Sequence, residues 1–281
     1  MRMPCWALRC PLPLPRPAVT TLFFFCIFKP LKIIKRIISP IWKTWFFLVF
    51  ALSFLVLYPF FWFALSTGRL DLGFRLKRVW SYCIVIGAGI YPRVIFRCAS
   101  RKMPQPCVFV GNHTSYLDII VSPFYIDHLA LYLGKAELLK APLFKIFFQK
   151  MDIPVNRKSR IDAVRSIKRM EAEIDKGRSM VIFPEGTIPV NTHKTLPFKN
   201  GAFKLAIDKQ VPVVPVVNVN NYKLLQNGGF FKSFGRPGIA KIIVFEPIPT
   251  TGMTEDNLVD LREKVFKIIN DTLNEHYGTK D

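Results

Sequence analysis

Residues 45–65, WFFLVFALSFLVLYPFFWFAL, run for 21 positions without a charge. At about 1.5 Å of helical rise per residue, such a run covers the roughly 30 Å hydrocarbon layer of a bilayer. It needs either lipid or the centre of a large soluble core. Composition favours lipid, because 51% apolar residues and 26 Phe exceed what a water-soluble core of 281 residues requires. Both flanks are basic, with Lys35, Arg36 and Lys43 before the run and Arg69, Arg75, Lys77 and Arg78 after it. The positive-inside tendency then keeps both ends in the cytoplasm. The next apolar stretch, VWSYCIVIGAGIY (79–91), is too short to span comfortably. Two arrangements remain: a helical hairpin dipping into the cytoplasmic leaflet, which is favoured, or a span with a strained return. Upstream, AVTTLFFFCIF (18–28) is too short to cross alone, and KPLKIIKRIISPIWK (29–43) mixes Ile pairs with cations like an interfacial helix. Residues 1–17 lack the apolar region and cleavage site of a secretory signal and are read as a disordered or artefactual start. Residues 18–102 are thus expected to be a membrane-associated helical region.

The net charge of +21 is concentrated there: residues 1–102 hold 16 Lys and Arg against one acid, Asp71, whereas 103–281 hold 24 against 18. No helix-turn-helix, zinc-finger or RNP-like segment accompanies the charge, so the expected partner is an anionic membrane surface and not nucleic acid. All six Cys lie within the first 107 residues without metal-ligand spacing, which points to reduced thiols, no disulfide framework and no metal site.

From residue 103 short β-branched runs alternate with helix-period stretches, the α/β signature. Strands are predicted at 107–111, 129–134, 152–155, 179–183, 211–217 and 241–246. A helix is predicted over 159–177, with Ser159 and Asp162 as an acidic capping box and a stripe of Ile161, Val164, Ile167, Met170 and Ile174. Another is predicted from Thr254 to His276. The fold class is α/β, a mostly parallel central sheet flanked by helices, with the membrane-associated segment ahead of it.

Three motifs follow predicted strands. In VGNHTSYLDI (110–119) His113 and Asp118 are five positions apart, about 140° around a helix, so they meet only if His113 precedes the helix and Asp118 reaches back from its first turn. Thr114 and Ser115 are suitable caps for that geometry. A carboxylate on one imidazole nitrogen leaves the other lone pair free to act as a general base. In FPEGT (183–187) a tight turn presents Glu185 at a strand's end, and in IPVNRKS (153–159) Arg157 offers a fork of donors suited to phosphate. Taken singly, each has an ordinary alternative: a histidine satisfying a helix end, a surface turn, a solvated Arg. Their shared place beyond the carboxyl ends of strands is where open α/β sheets hold their ligand crevice.

NHTSYLD, GKAELLKAPLF with MDIPVNR, FPEGT and VPVVPV, in this order, resemble the four blocks of the glycerolipid acyltransferases, in particular the 1-acylglycerol-3-phosphate acyltransferase family of bacterial type. The resemblance covers roughly residues 105–220. It implies transfer of a fatty acyl chain from acyl-CoA or acyl-carrier protein to the free hydroxyl of lysophosphatidic acid, with no cofactor, at the cytoplasmic face of a membrane. It further implies that His113 is the base and Asp118 its orienter. By the same resemblance Arg157 is the phosphate ligand, assisted by Lys135, and Glu185, Gly186 and Thr187 position the glycerol phosphate. Val211 to Val216 match the block on the acyl-donor side. Where many members continue with Arg after the third block, this chain has Ile188 and Pro189, so phosphate charge falls to Arg157, to Lys199 in PFKNG, or to another cation.

Three rival readings stay open at this point: an acyl-enzyme with Ser115 or Cys107 as nucleophile, a different acceptor such as glycerol 3-phosphate or another lysolipid, and a non-catalytic lipid-binding protein. His128, His193 and His276 are read as surface or structural, with His193 near enough to FPEGT to approach the pocket.

Overall fold

The computed structural model describes residues 19–156, 159–189 and 194–278, with side chains from Ile38 on, that of Arg160 excepted. Arg157, His193 and the segment 1–17 therefore lie outside the described residues. Residues Ser39–Asp281 form one compact unit and Met1–Ile38 another, which holds the first part of helix α1 (Val19–Ser66).

Within the larger unit, α1 is followed by α2 (Leu70–Gly87) and then by a seven-stranded sheet. Its strands are β1 (Ile90–Arg97), β2 (Val108–Gly111), β3 (Ala130–Lys135), β4 (Ile153–Val155), β5 (Ser179–Ile182), β6 (Val213–Asn218) and β7 (Gly238–Phe245), in the order β1-β7-β6-β2-β5-β3-β4. Five of them, β6-β2-β5-β3-β4, run parallel; β7 is antiparallel to β6, and β1 is parallel to β7. Helices α3 (Leu117–Val121), α4 (Lys145–Lys150), α5 (Arg160–Asp175), α6 (Gly201–Asp208), α7 (Asn221–Leu224) and α8 (Leu258–Tyr277) complete the fold.

Every residue of β2, β5 and β6 is buried, which explains their unbroken apolar reading: a strand covered on both faces has no polar side to show. The α/β expectation and the mostly parallel sheet both hold. Helix α5 is capped as expected, with Ser159 Oγ accepting the Asp162 N–H at 3.2 Å. Its stripe holds only in part: Met170 and Ile174 are buried, whereas Ile161 and Val164, in the first turns, are exposed.

The sheet also reaches into the stretch read as membrane-associated helix. Residues 90–97 form β1, an edge strand in register with β7 from Ile90 against Gly238 to Arg97 against Phe245. Pro92 is tolerated because an edge strand needs hydrogen bonds on one side only. The apolar run 79–91 is therefore split, its first part closing α2 and its end opening β1.

From Ile38 on, helix α1 is apolar on both its buried and its exposed faces. Phe46, Phe54, Phe61 and Leu65 are buried along one side. Phe54 stacks on Phe144 at 4.9 Å, and Phe61 meets Phe147 edge-on at 4.9 Å. Lys77 of α2 pairs with Asp152 at 2.6 Å beside the start of β4. The other face exposes Ile41, Trp45, Leu48, Leu52 and Val56. Residues Ile38–Ser66 are long and apolar enough to cross a membrane by length and composition, and 17% of the most apolar window is buried, too little for the core helix of a soluble protein.

Candidate active site

The parallel strands end along one edge, and the turns beyond them carry the candidate residues. After β2 the chain passes through Asn112 and His113 before α3 begins, so Asp118 in the first turn faces back toward His113. Asp118 Oδ2 lies 3.0 Å from His113 Nδ1 and also accepts the backbone N–H groups of Thr114 at 2.7 Å and Ser115 at 2.9 Å. Its other oxygen, Oδ1, accepts from Asn221 Nδ2 at 2.8 Å. The carboxylate has no exposed surface. An acceptor so placed fixes the imidazole hydrogen on Nδ1 and leaves the Nε2 lone pair for another proton. The opposing-face difficulty noted from helix geometry is solved as the sequence requires, with His113 outside the helix.

A second layer holds this pair. Asn112 and Asn218, at the ends of the adjacent strands β2 and β6, exchange three hydrogen bonds: Asn112 Nδ2 to Asn218 O at 3.0 Å, Asn218 N to Asn112 Oδ1 at 2.8 Å, and Asn218 Nδ2 to Asn112 O at 2.9 Å. Asn221 adds a contact from its Nδ2 to Asn218 Oδ1 at 3.3 Å. All three amides are fully buried. Sequence reasoning missed this clamp; its one trace is polar side chains in VNVNN, just where a buried strand ends.

Glu185 follows β5 and is buried, with each oxygen taken: Oε1 accepts the His113 backbone N–H at 2.8 Å and Oε2 that of Leu196 at 3.1 Å. The resemblance sets it among the residues that position the glycerol phosphate; both of its oxygens are occupied in bracing the His113 turn to the segment leading into α6. Burial pushes its carboxyl up to about 7, against the lowering effect of those two N–H donors. Phe183, just before, stacks on the His113 ring with centroids 4.2 Å apart and planes 15° from parallel.

Gly186 turns the chain with φ +72°, a conformation that glycine adopts without strain. A Cβ on it would lie 3.0 Å from Lys199 Nζ, so the ammonium sits directly against this turn. Thr187 and Lys199 are both exposed on the rim. Lys135 ends β3, two strands from β2, where it is exposed and 3.3 Å from Glu137. The structure thus brings Lys199, Gly186, Glu185, His113 and Asp118 together and leaves Lys135 farther along the same edge. Val211 to Val216 form the entry and body of β6, enclosed between β2 and β7, and their valine side chains belong to the core.

Beneath this rim a cavity of about 310 Å³ opens between α5, α6 and the sheet. Leu133, Ile167, Met170 and Phe183 line it, and Gly186 and Lys199 stand among its polar neighbours. The volume lies at the small end of the roughly 300–1,000 Å³ range of small-molecule sites.

Neither alternative nucleophile is prepared for attack. Ser115 Oγ donates to Leu225 O at 2.6 Å and accepts the Leu117 N–H at 3.1 Å, so it serves as a cap. Cys107 is fully buried, and desolvation pushes its thiol up to about 12. His128 is bonded to Asp127 at 2.8 Å and Ser179 at 2.6 Å, at the opposite end of β5, and His276 of α8 contacts Lys241 of β7 and Thr272 of its own helix.

A family model described as Acyltransferase matches residues 96–219. Human 1-acyl-sn-glycerol-3-phosphate acyltransferase beta is 36% identical over 158 residues, 53% of this chain and 53% of its own length. The 1-acyl-sn-glycerol-3-phosphate acyltransferase of Haemophilus influenzae is 28% identical over 165 residues, 57% of this chain and 65% of its own length. The chain thus spans between half and two thirds of these curated relatives. The crystal structure of PlsC, the 1-acyl-sn-glycerophosphate acyltransferase from Thermotoga maritima, superposes with a TM-score of 0.67 at 20% identity, covering 88% of this chain and 99% of that one, a likeness of fold. Residues 96–219 thus match an acyltransferase family model, and over just over half its length the chain is similar to 1-acyl-sn-glycerol-3-phosphate acyltransferases.

Proposed function

We propose that the protein transfers a fatty acyl group from a thioester, acyl-CoA or acyl-carrier protein, to the sn-2 hydroxyl of 1-acylglycerol 3-phosphate, forming phosphatidic acid at a membrane surface. The observation that carries this reading is the His113–Asp118 contact of 3.0 Å, with every oxygen of the buried carboxylate facing a donor. In the reaction His113 Nε2 takes the hydroxyl proton as the alkoxide forms its bond to the thioester carbonyl carbon. The tetrahedral adduct then breaks its C–S bond, and the departing thiolate receives the proton back from the imidazolium. Asp118 stabilises that cation while it exists. A thiolate leaves readily, so protein groups suffice for the step.

Lys199 beside the Gly186 turn is the favoured ligand for the acceptor phosphate, and the apolar cavity below it suits a hydrocarbon chain. The exposed apolar face of α1 is read as lipid-facing, with the catalytic domain on the cytoplasmic side. Purified protein offered a panel of lysolipid acceptors and both donor types, with products identified by mass spectrometry, tests the proposal. Phosphatidic acid is the expected product, and His113→Ala is expected to remove it. Turnover with another acceptor alone would replace the substrate, and full turnover by His113→Ala would discard the mechanism.

A further inference from the structure

We infer that residues 226–236, QNGGFFKSFGR, form a second membrane-contact element at the rim of the active site, whose aromatic tip enters the interface of an anionic phospholipid bilayer. The inference rests on the lipid-facing reading of α1.

The loop shows apolar side chains where a soluble protein has no use for them. Phe231 is 75% exposed, Phe234 52% and Phe230 38%. Lys232 and Arg236 stand exposed among them. From Lys209 to Phe245 the sequence contains no Asp or Glu, so nothing in this stretch repels an anionic headgroup. Aromatic rings interleaved with cations are the chemistry of an interfacial contact: the rings sit at headgroup depth and the cations meet phosphates.

The loop is also fastened to α1. Lys43 Nζ, fully buried, donates to the carbonyls of Phe230 and Ser233 and to Ser233 Oγ at 3.2 Å. The Gly235 N–H donates to Ser39 Oγ at 2.7 Å. The Gly235 backbone approaches α1 so closely that a Cβ there would lie 2.5 Å from Lys43 Cγ. The Phe230 ring touches Phe47, itself 46% exposed, with centroids 6.2 Å apart, so the apolar surface of the loop continues that of the helix. A lysine buried to hold a loop of exposed rings against an apolar helix is costly unless both surfaces have a common partner.

The other end of the loop touches the catalytic turns. Ser115 Oγ donates to Leu225 O at 2.6 Å, and Asn227 Nδ2 donates to Ile188 O at 2.9 Å in the segment after Gly186. Seating the tip in the interface therefore sets the mouth of the site at headgroup level, where a lysolipid acceptor arrives without leaving the bilayer.

Photo-crosslinking tests this. Benzoyl-phenylalanine is placed singly at positions 231, 234, 48 and 259 of the full chain, reconstituted in vesicles of phosphatidylcholine and phosphatidylglycerol. Leu48 reports the α1 face, and Val259, exposed on α8, serves as the control. After irradiation, peptides carrying phospholipid adducts are expected for 231, 234 and 48, and none for 259. Adducts at 48 without adducts at 231 and 234 would overturn the loop inference while leaving the α1 reading intact. Adducts at 259 equal to those at 231 would overturn it as well, by showing contact without selectivity. The readout requires no turnover, so it is independent of the activity proposed above.

Discussion

Replacing Asp118 with Asn removes one charge from the centre of the site and little else. The amide oxygen will occupy the Oδ2 position, because three donors converge there: Thr114 N–H, Ser115 N–H and His113 Nδ1–H. The new NH2 group then points at Asn221 Nδ2. Asn221 can answer by turning its amide over, at the cost of its 3.3 Å contact with Asn218 Oδ1, which would then face another oxygen. The imidazole tautomer is therefore kept, and the main loss is the attraction between carboxylate and imidazolium, with a smaller one in the amide clamp. At 3.0 Å and an effective dielectric constant of about 20 that attraction is about 5.5 kcal/mol. The neutral hydrogen bond that remains keeps about half of the stabilisation. A transition-state loss of about 2–5 kcal/mol lowers kcat by about 30- to 5,000-fold.

The assay is thiol release from acyl-CoA with lysophosphatidic acid in detergent, with circular dichroism as the check on folding. His113→Ala is expected to lose about 10²–10⁴-fold, and the double variant no more than the worse single one, because the two residues act as a unit. A folded Asp118→Asn within threefold of wild type, or a double variant whose loss is the product of the singles, would refute the base-and-orienter assignment.

Glu185→Gln leaves one of the two backbone N–H groups facing an amide NH2, at a cost of about 1–3 kcal/mol, and is expected to lower kcat about 10- to 100-fold through displacement of the His113 turn. The Glu185 carboxyl is raised from 4.5 to about 7 on folding, so its contribution to stability is fully present below pH 4.5 and lost as pH rises through 7. Denaturant titrations should therefore show wild type losing up to about 3 kcal/mol relative to Glu185→Gln across that window. Lys199→Ala is expected to raise the KM for lysophosphatidic acid about 5- to 30-fold with kcat retained, the equivalent of about 1–2 kcal/mol for a partly solvated phosphate contact. An unchanged KM would move the phosphate to another cation. Ala163→Phe, on the wall of the cavity under Lys199, should shift preference toward shorter acyl chains in competition assays, and an unaltered chain profile would place the hydrocarbon elsewhere.

His113 and Asp118 were legible because their relation is local: a strand, a turn and the first turn of a helix settle it within six residues. The same holds for Gly186, whose turn is written in Pro184 and Gly186. Asn221 was not legible, since it reaches Asp118 across 103 positions of sequence and only the β2–β6 pairing brings the two together. The bracing contacts of Glu185 were hidden for a related reason: its partners are backbone N–H groups, which leave no mark in a sequence. Strand β1 was hidden because its apolar residues continue those of α2 without a break, and its partner β7 lies far along the chain. Arg157, the expected phosphate ligand, lies outside the described residues.

The buried aromatic face of α1 bears on how this protein is to be handled. Phe54 and Phe61 roof the hydrophobic layer formed by Trp80, Phe144 and Phe147, so this helix is part of the body that carries the His113 site. Cutting the chain after Ser66 to obtain a soluble fragment would strip that roof away and give a sticky, aggregating product. Trading the outward residues Leu48, Leu52 and Val56 for polar ones while sparing the inward rings is the sounder route to a water-soluble form.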